Sequence, residues 1–576
     1  MSALVVCIAR EVSIPTSGCG DRRFSLKRGG PGLQGRTEWW RSWGCRVLMG
    51  CILDGISLTS PVAKGDPICP PTLEWQKSFG TTNESIASEF YAMIRTSDGG
   101  ILLAGYSSSI ASGTKTCDGF GGSDGWLVKL DAQGEKQWDM CLGGTENEAI
   151  TSVQETKDGG FIVLGYSFSP PSGNKTAPIQ KPGVLDLWLI RLDSKHAIVW
   201  DISLGSVVYS VKVLETQDGG FLATADSLHN DFRAIRLDSM GKKLWDATYG
   251  GDDTEFLSGV VEVAGGGFLL AGTSFSLPSG TKTARYWGDP EDVSRTGDYW
   301  IVRIDGQGSK LWDKSYGGNS QDLCLDIINT RDGNYLLGGW SVSELGSRTA
   351  PTYGGDYWIV KIDQDGNQLW DSAYGNQGAQ AGFSVMTLLP DGGFALAGKI
   401  GLSDPRLPGT QESQPFGGGD AWVVRTDASG RKLWDLTWGG SSGEKVAGIL
   451  PERDGGLLIA GLSSSPISGS RTIPKYGSAD GWVLKLAPEN LSTNVQVCIG
   501  STTPLSIPQD GFRVRMSGPT NLIYSLESSV DLITWTGMIP DEHMGATQKG
   551  THLVEIRDWG ATNAGVRKFY RARVSE

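Results

Sequence analysis

The stretch Leu311-Trp-Asp-Lys-Ser-Tyr-Gly-Gly318 decides how the rest of the chain is read, because its pattern, LWDxxYGG, comes back in looser form six more times. The seven tryptophans are Trp75, Trp138, Trp200, Trp245, Trp312, Trp370 and Trp434, with successive spacings of 63, 62, 45, 67, 58 and 64 residues. A repeat of that length marks a propeller or a solenoid, in which one supersecondary unit stacks on the next. Between the tryptophans the order of pieces is constant. An alternating segment leads to a DGG turn, an apolar run ending in Gly, a long Ser/Gly/Thr loop, and a strand such as Asp356-Tyr-Trp-Ile-Val-Lys-Ile-Asp363. These are four predicted strands per unit: A before DGG, B after it, C for the DYWIVKID piece and D for LWDxxYGG.

The turns have local causes. Asp98-Gly99-Gly100, Asp158-Gly159-Gly160, Asp218-Gly219-Gly220, Asp391-Gly392-Gly393 and Asp454-Gly455-Gly456 each separate two apolar runs, as hairpin turns that require positive φ should. A second turn, between C and D, reads Asp131-Ala-Gln-Gly134 or Asp305-Gly-Gln-Gly308, and His196 replaces its Gly in one unit. Histidine is among the side chains that tolerate that conformation.

The run opens with a lone D strand near Leu73–Gly80 and ends with a C strand near Gly481–Ala487. Six full units are therefore bracketed by one unpaired D and one A-B-C set. Joining the two ends completes a seventh unit and leaves no bare sheet edge. This predicts an all-β fold, a seven-bladed β-propeller over residues 71–490. A second set of tryptophans, Trp126, Trp188, Trp300, Trp358, Trp422 and Trp482, sits one per C strand in six of the seven units. Aromatics spread so evenly read as packing between sheets, since a ligand cage would gather them in one place.

Beyond the repeats, residues 491–510 read as a linker. Residues 511–576 read as a small C-terminal β-sandwich-like domain, with short strands and Trp535 as its core aromatic. Residues 1–70 are set apart as an N-terminal targeting or unstructured segment that lacks the apolar stretch of a clear signal peptide.

Composition agrees with a repeat architecture: 82 Gly, 21 Trp and only 20% charged residues suit many short strands joined by tight turns. A net charge of -13 argues against nucleic acid, whose phosphates need clustered Lys and Arg. No run of 18 apolar residues predicts a transmembrane segment. Nine cysteines, an odd set without a CxxC pair, signal neither a zinc site nor a redox pair. Cys69 and Cys498 flank the repeats and could meet in an oxidising compartment, although a free or buried thiol is the expectation for each.

Ser112-Gly-Thr-Lys-Thr116, Ser172-Gly-Asn-Lys-Thr176, Ser279-Gly-Thr-Lys-Thr283 and Ser468-Gly-Ser-Arg-Thr472 each precede a C strand. Together with DYWxVKLDxxGxxxW they resemble the units of secreted bacterial β-propeller repeat proteins. In the tail, Tyr524-Ser-Leu-Glu-Ser528, Asp531-Leu-Ile-Thr-Trp535 and Phe569-Tyr-Arg571 resemble a C-terminal module of the same proteins. The resemblance covers residues 71–576 and implies export and an envelope or extracellular setting, but no established activity. The Asp131-to-Trp138 turn is also similar to the tryptophan-docking motif of quinone-dependent dehydrogenases and to the Asp-box of sialidases. Both motifs are structural, and neither implies a catalytic residue here.

With A innermost, the B–C loops and D-to-A connections share one face, where propellers usually bind. The D-to-A connections bring Glu84, Glu148, Glu255, Asp322 and Glu444 to it, and the B–C loops bring Lys115, Lys175, Lys282, Arg348 and Arg471. These could form a polar rim for a divalent cation or a glycan. Alternatively, acid and base pin adjacent loops, each pair adding at most about 1 kcal/mol. Recurrence in many blades favours pinning. The acidic insertion Trp287-Gly-Asp-Pro-Glu-Asp292 is the most distinctive loop, and the third unit is the deviant one, its B–C connection shrinking to Asp226–Asp231 beside Leu228 and His229. The four histidines, His196, His229, His543 and His552, form no catalytic pattern, and HExxH and P-loop motifs are missing.

The reading is a non-catalytic, secreted or envelope-associated monomeric propeller that binds a surface glycan or protein through the B–C/D–A loop face. No cofactor is signalled beyond a divalent cation at the acids. The alternatives are a glycan-active hydrolase or lyase with carboxylates at the channel mouth, and a purely structural surface repeat.

Overall fold

The computed structural model describes residues 70–489, apart from 84–86, 109, 292–294, 379–380 and 403–406, and backbone strands in the terminal regions. The chain divides into two units, one of residues 68–490 and one of residues 1–67 with 491–576. The first is a ring of seven four-stranded antiparallel sheets, and among the described residues there is no helix.

Blade 1, residues 88–142, shows the plan: A is Ser88–Arg95, B is Ile101–Ser107, C is Asp124–Leu130 and D is Lys136–Leu142, hydrogen-bonded in that order. Blades 2 to 6 span residues 148–206, 209–249, 255–316, 322–374, 381–438, and blade 7 takes its A, B and C from 444–486. Its D strand is Leu73–Phe79, paired antiparallel with Asp480–Leu486. The ring closes as the two odd ends required. A strands of successive blades touch all the way round, blade 7 against blade 1 included, so A is innermost.

The core lies in the blade junctions. Each of seven apolar clusters draws on two neighbouring sheets. Leu102, Ala104 and Leu127 of blade 1 meet Ile150, Phe161 and Trp188 of blade 2, for example. C-strand tryptophans fill these layers, and Trp126, Trp188, Trp300, Trp358 and Trp422 have no exposed surface. Six D-strand tryptophans pack against these layers from partly buried positions, each lying over the C–D turn of the next blade. Trp434 is buried in its junction, and its indole donates to Glu489. A Cβ on Gly134, Gly241, Gly308, Gly366 or Gly430 would press into the ring of Trp75, Trp200, Trp245, Trp312 or Trp370. Where His196 stands instead, at φ 67°, its imidazole lies 4.0 Å from the Trp138 ring. Glycine at this turn is thus needed both for positive φ and for the neighbour's indole.

Blade 1 holds one disulfide, Cys117–Cys141, joining its B–C loop to its D strand. Spacing alone did not signal this pair. It replaces Ala and Ser at the matching positions of other blades, such as Ala284 and Ser315, so only tertiary register brings the thiols together. Cys69 and the side chain of Cys498 lie outside the described residues, and Cys324 is a free thiol buried in a blade junction. Replacing Cys117 and Cys141 by Ser is expected to cost about 3 kcal/mol in urea unfolding. A thiol titration of the folded wild-type chain with and without reductant checks the bond itself.

In the terminal unit, Leu4–Val6, Phe569–Ser575, Ile523–Ser529 and Thr536–Gly537 form one four-stranded sheet, and Gln496–Ile499, Phe512–Pro519 and Thr551–Asp558 a three-stranded one. Strands thus arise inside the segments read as N-terminal leader and linker. Among the described residues, no helix is long and apolar enough to cross a membrane.

Candidate functional site

The recurring polar residues are consumed in holding the loops. The Asp of the LWD motif is the hub. In blade 4, Asp313 accepts from the Trp300 indole (3.0 Å), from the Thr283 and Ala284 amides (2.8 Å each), from the Thr283 hydroxyl and from Lys310 (2.6 Å). Asp139, Asp201, Asp371 and Asp435 repeat this arrangement around Trp126, Trp188, Trp358 and Trp422. Gln76 takes the place of the Asp in blade 7, accepting from Trp482. Burial works against the Asp139 and Asp313 carboxylates, but the donors around them prevail and hold each at about 2. This cluster, present with Asp in five blades, explains why the Thr of SGxKT, the Trp of DYW and the Asp of LWD travel together. In blade 3, which lacks the loop and the C-strand Trp, Asp246 pairs instead with Arg233 and Lys243.

The acids read as a rim lie at the foot of the loops. Glu148, Glu255 and Asp322 have no exposed surface and Glu444 is 3% exposed. Glu148 accepts from the Gly144 amide and the Ser167 hydroxyl, and Glu255 from Gly251, Ser274 and Ser276. Asp322 accepts from Gly318 and Ser343, Glu444 from Gly440 and Ser463. Glu84 lies outside the described residues. In the register of the sheets the matching position in blade 1 is Ser88, opposite Ser107 as Glu148 is opposite Ser167.

The bases are equally enclosed: Lys115, Lys175, Lys282, Arg348 and Arg471 are 5% exposed or less. Lys175 donates to the Ala177 carbonyl, and Lys282 to the Ser274 hydroxyl and the Ser276 carbonyl. Arg348 and Arg471 pair with the first residues of their own C strands, Asp356 and Asp480. Burial lowers the pKa of Lys115, Lys175 and Lys282, against the pull of neighbouring carboxylates. The two arginines tie loop to C strand and Lys282 ties loop to B, while acid ties the Gly-Gly connection to B. Trp287 is half-buried, its indole bonded to the Ser315 carbonyl and stacked under Arg285. Leu228 stays 49% exposed beside the short loop of blade 3.

What differs from blade to blade sits nearer the axis. The sixth residue of B faces the second residue of A, and this pair is Tyr106 with Glu89, Tyr166 with Ala149, Thr273 with Phe256, Trp340 with Leu323 and Lys399 with Gly382. Just beyond, every A strand carries a bulge, which in blades 1 and 5 falls at Tyr91 and Leu325. A bulge re-aims one side chain out of the sheet alternation. The Tyr91 and Tyr106 rings are 5.7 Å apart, Tyr166 meets Phe168 and Phe256 meets Phe275. Tyr209 is 59% exposed and Phe256 39%. Burial, reinforced by the Glu89 carboxylate, raises the phenols of Tyr91, Tyr106 and Tyr166, keeping them neutral hydrogen-bond donors. Glu89 itself pairs with Lys445 of blade 7 at 3.1 Å. The loop-face ends of the A and B strands thus carry varied side chains, tyrosines on blades 1 to 3 and other aromatic or apolar groups on blades 4 and 5, with Glu89, Lys399 and Lys445 among them.

These residues escaped the sequence reading because repeat logic looks for sameness. Their only signal is the variable residue after the B-strand Gly in GYS, GTS, GWS and GKI. Among the described residues no three His, Cys, Asp or Glu side chains are grouped to hold a metal ion.

No protein-family model matches the chain, and no curated protein does. Among solved structures it is similar to Sqt1 of Chaetomium thermophilum bound to the N-terminus of the ribosomal protein L10 (13% identity, 70% of this chain and 100% of that one, TM-score 0.38). It is also similar to YCF48 bound to D1 peptide (12%, 74% and 99%, TM-score 0.37) and to the Pan2 WD40 domain of Neurospora crassa (10%, 58% and 94%, TM-score 0.31). Likeness at this level carries no argument about what this chain binds.

Proposed function

We propose that the chain is a non-catalytic propeller, exported to an extracellular or envelope setting, that binds a glycan or protein partner at the aromatic mouth of its channel. The observation behind this reading is a division of labour: polar residues that recur are sealed inside, while the residues that vary, many of them aromatic, sit at the loop-face ends of the A and B strands. Rings with neutral hydroxyls beside a few charges suit a ligand with both apolar faces and polar edges. The Cys117–Cys141 bond supports the setting, because disulfides persist in oxidising compartments. A glycan-active enzyme is disfavoured, since the paired carboxylates that would act on a glycosidic bond are closed to substrate.

A glycan-array and divalent-cation screen of the full chain, read by binding and thermal shift, tests the proposal. Tyr106→Ala and Tyr166→Ala are expected to weaken a hit about tenfold each with little change in melting, a stacking loss of about 1.4 kcal/mol. Glu148→Ala and Glu255→Ala should do the reverse, costing about 1–3 kcal/mol of stability by leaving Ser hydroxyls and Gly amides unpaired. Binding that follows the glutamates and ignores the tyrosines would refute the mouth as the site.

A further inference from the structure

Round the ring, buried carboxyls outnumber the buried bases beside them. The first C-strand residue of one blade and the first A-strand residue of the next form pairs: Asp124 with Glu148, Asp298 with Asp322 and Asp420 with Glu444. A Cβ built on the intervening Gly143, Gly317 or Gly439 would collide with both carboxyl groups at once, so the two converge on the same glycine. One oxygen of each Asp, Oδ1 of Asp124, Asp298 and Asp420, is buried with no hydrogen-bond partner. A buried oxygen left so is costly unless a proton supplies the missing bond.

Blade 6 presents the case most starkly. The position of the buried base is held by Gln411, and Asp420 Oδ2 already takes the Phe416 and Gly417 amides (2.6 and 3.1 Å). From blade 7, Glu444 faces it, with Ser463 and Gly440 as donors to Glu444 itself. The base of the blade 7 loop and the D-strand lysine of blade 6 are committed elsewhere: Arg471 is bidentate to Asp480, and Lys432 pairs with Asp435 and Glu412. Backbone amides aimed at the pair also disfavour a metal ion there.

We infer that Asp420 and Glu444 share one buried proton, and that such protons at the blade junctions make the ring tightest in mild acid and looser as pH rises toward neutral. Burial raises Asp420, and the facing Glu444 adds to it; Asp124 is pushed up to about 6 for the same reasons. A carboxyl raised above its unfolded value contributes stability that is complete below about pH 4 and is lost as pH rises through the folded value. Asp226, alone in blade 3 and raised by burial to about 7, adds to the same trend.

The test is urea unfolding of the full chain at several pH values from 5 to 8, for wild type and for Glu444→Gln, whose amide can donate permanently to Asp420. Each shared proton makes wild-type unfolding about tenfold more favourable per pH unit over the window between the two values. Glu444→Gln is expected to remove one such dependence. Parallel wild-type and variant curves would overturn the inference, as would calcium restoring neutral-pH stability in a chelator-reversible way. Should the variant not fold, infrared spectra of the wild type decide: a protonated-carboxyl band at pH 6 that fades by pH 8 is expected, and its absence refutes the shared proton.

Discussion

Deleting residues 71–80 is expected to abolish cooperative folding of the ring. The strand Leu73–Phe79 is the D strand of blade 7, and it is bonded to a C strand about four hundred residues later. Phe79 is buried beside Phe90, and Trp75 covers Gly134 of blade 1. Gln76 satisfies the Trp482 indole (3.2 Å) and the Thr472 hydroxyl (2.8 Å), while Ser78 receives Arg471. Removing the strand strips these groups together and leaves Asp480–Leu486 as an open edge, which invites association. Losing one large apolar side chain costs about 3–5 kcal/mol, and total stability is about 5–15 kcal/mol, so the loss of a strand with two such aromatics is close to the whole. Circular dichroism melts and size exclusion of the truncated chain read this directly. Moving residues 71–80 to follow residue 490 should restore the melt. A truncated chain that stays monomeric and melts like the full one would show that the ring does not need its closure.

Asp313→Ala is the second change with a large expected effect, a loss of about 3–5 kcal/mol in urea unfolding at pH 7. The carboxylate is enclosed, and its removal leaves the Trp300 indole, two loop amides, the Thr283 hydroxyl and the Lys310 ammonium without their acceptor. The sign with pH follows from its lowered value near 2. Such a group contributes stability that is present above the unfolded value of about 4 and is lost as pH falls through the folded one. Wild type should therefore weaken between about pH 4 and pH 2, and Asp313→Ala should flatten part of that decline. An unchanged urea midpoint in the variant would mean the loop is held by its own turns and not by the hub. Since the shared protons act in the opposite direction, the two effects leave a stability maximum in mildly acidic solution.

The sequence by itself determined the blade count, the strand order, the closure by an N-terminal D strand and the turns at DGG and at the C–D glycine. All of these rest on recurrence and on local backbone chemistry: a period near sixty residues, alternating apolar positions, and positive φ at Gly or at His196. It also told correctly that two sets of tryptophans pack between sheets. Tertiary structure alone decided what the recurring charges do. Whether Glu148 lines a rim or pins a loop depends on Ser167 and Gly144 closing over it, and solvent exposure has no local signature in a motif. The same holds for Cys117 with Cys141, for Ser88 standing where the spacing pointed to Glu84, and for Asp420 meeting Glu444 across a junction. The tyrosines at the loop-face strand ends come from units about sixty residues apart, and only the ring, by turning each B strand toward one axis, gathers side chains that no linear pattern joins.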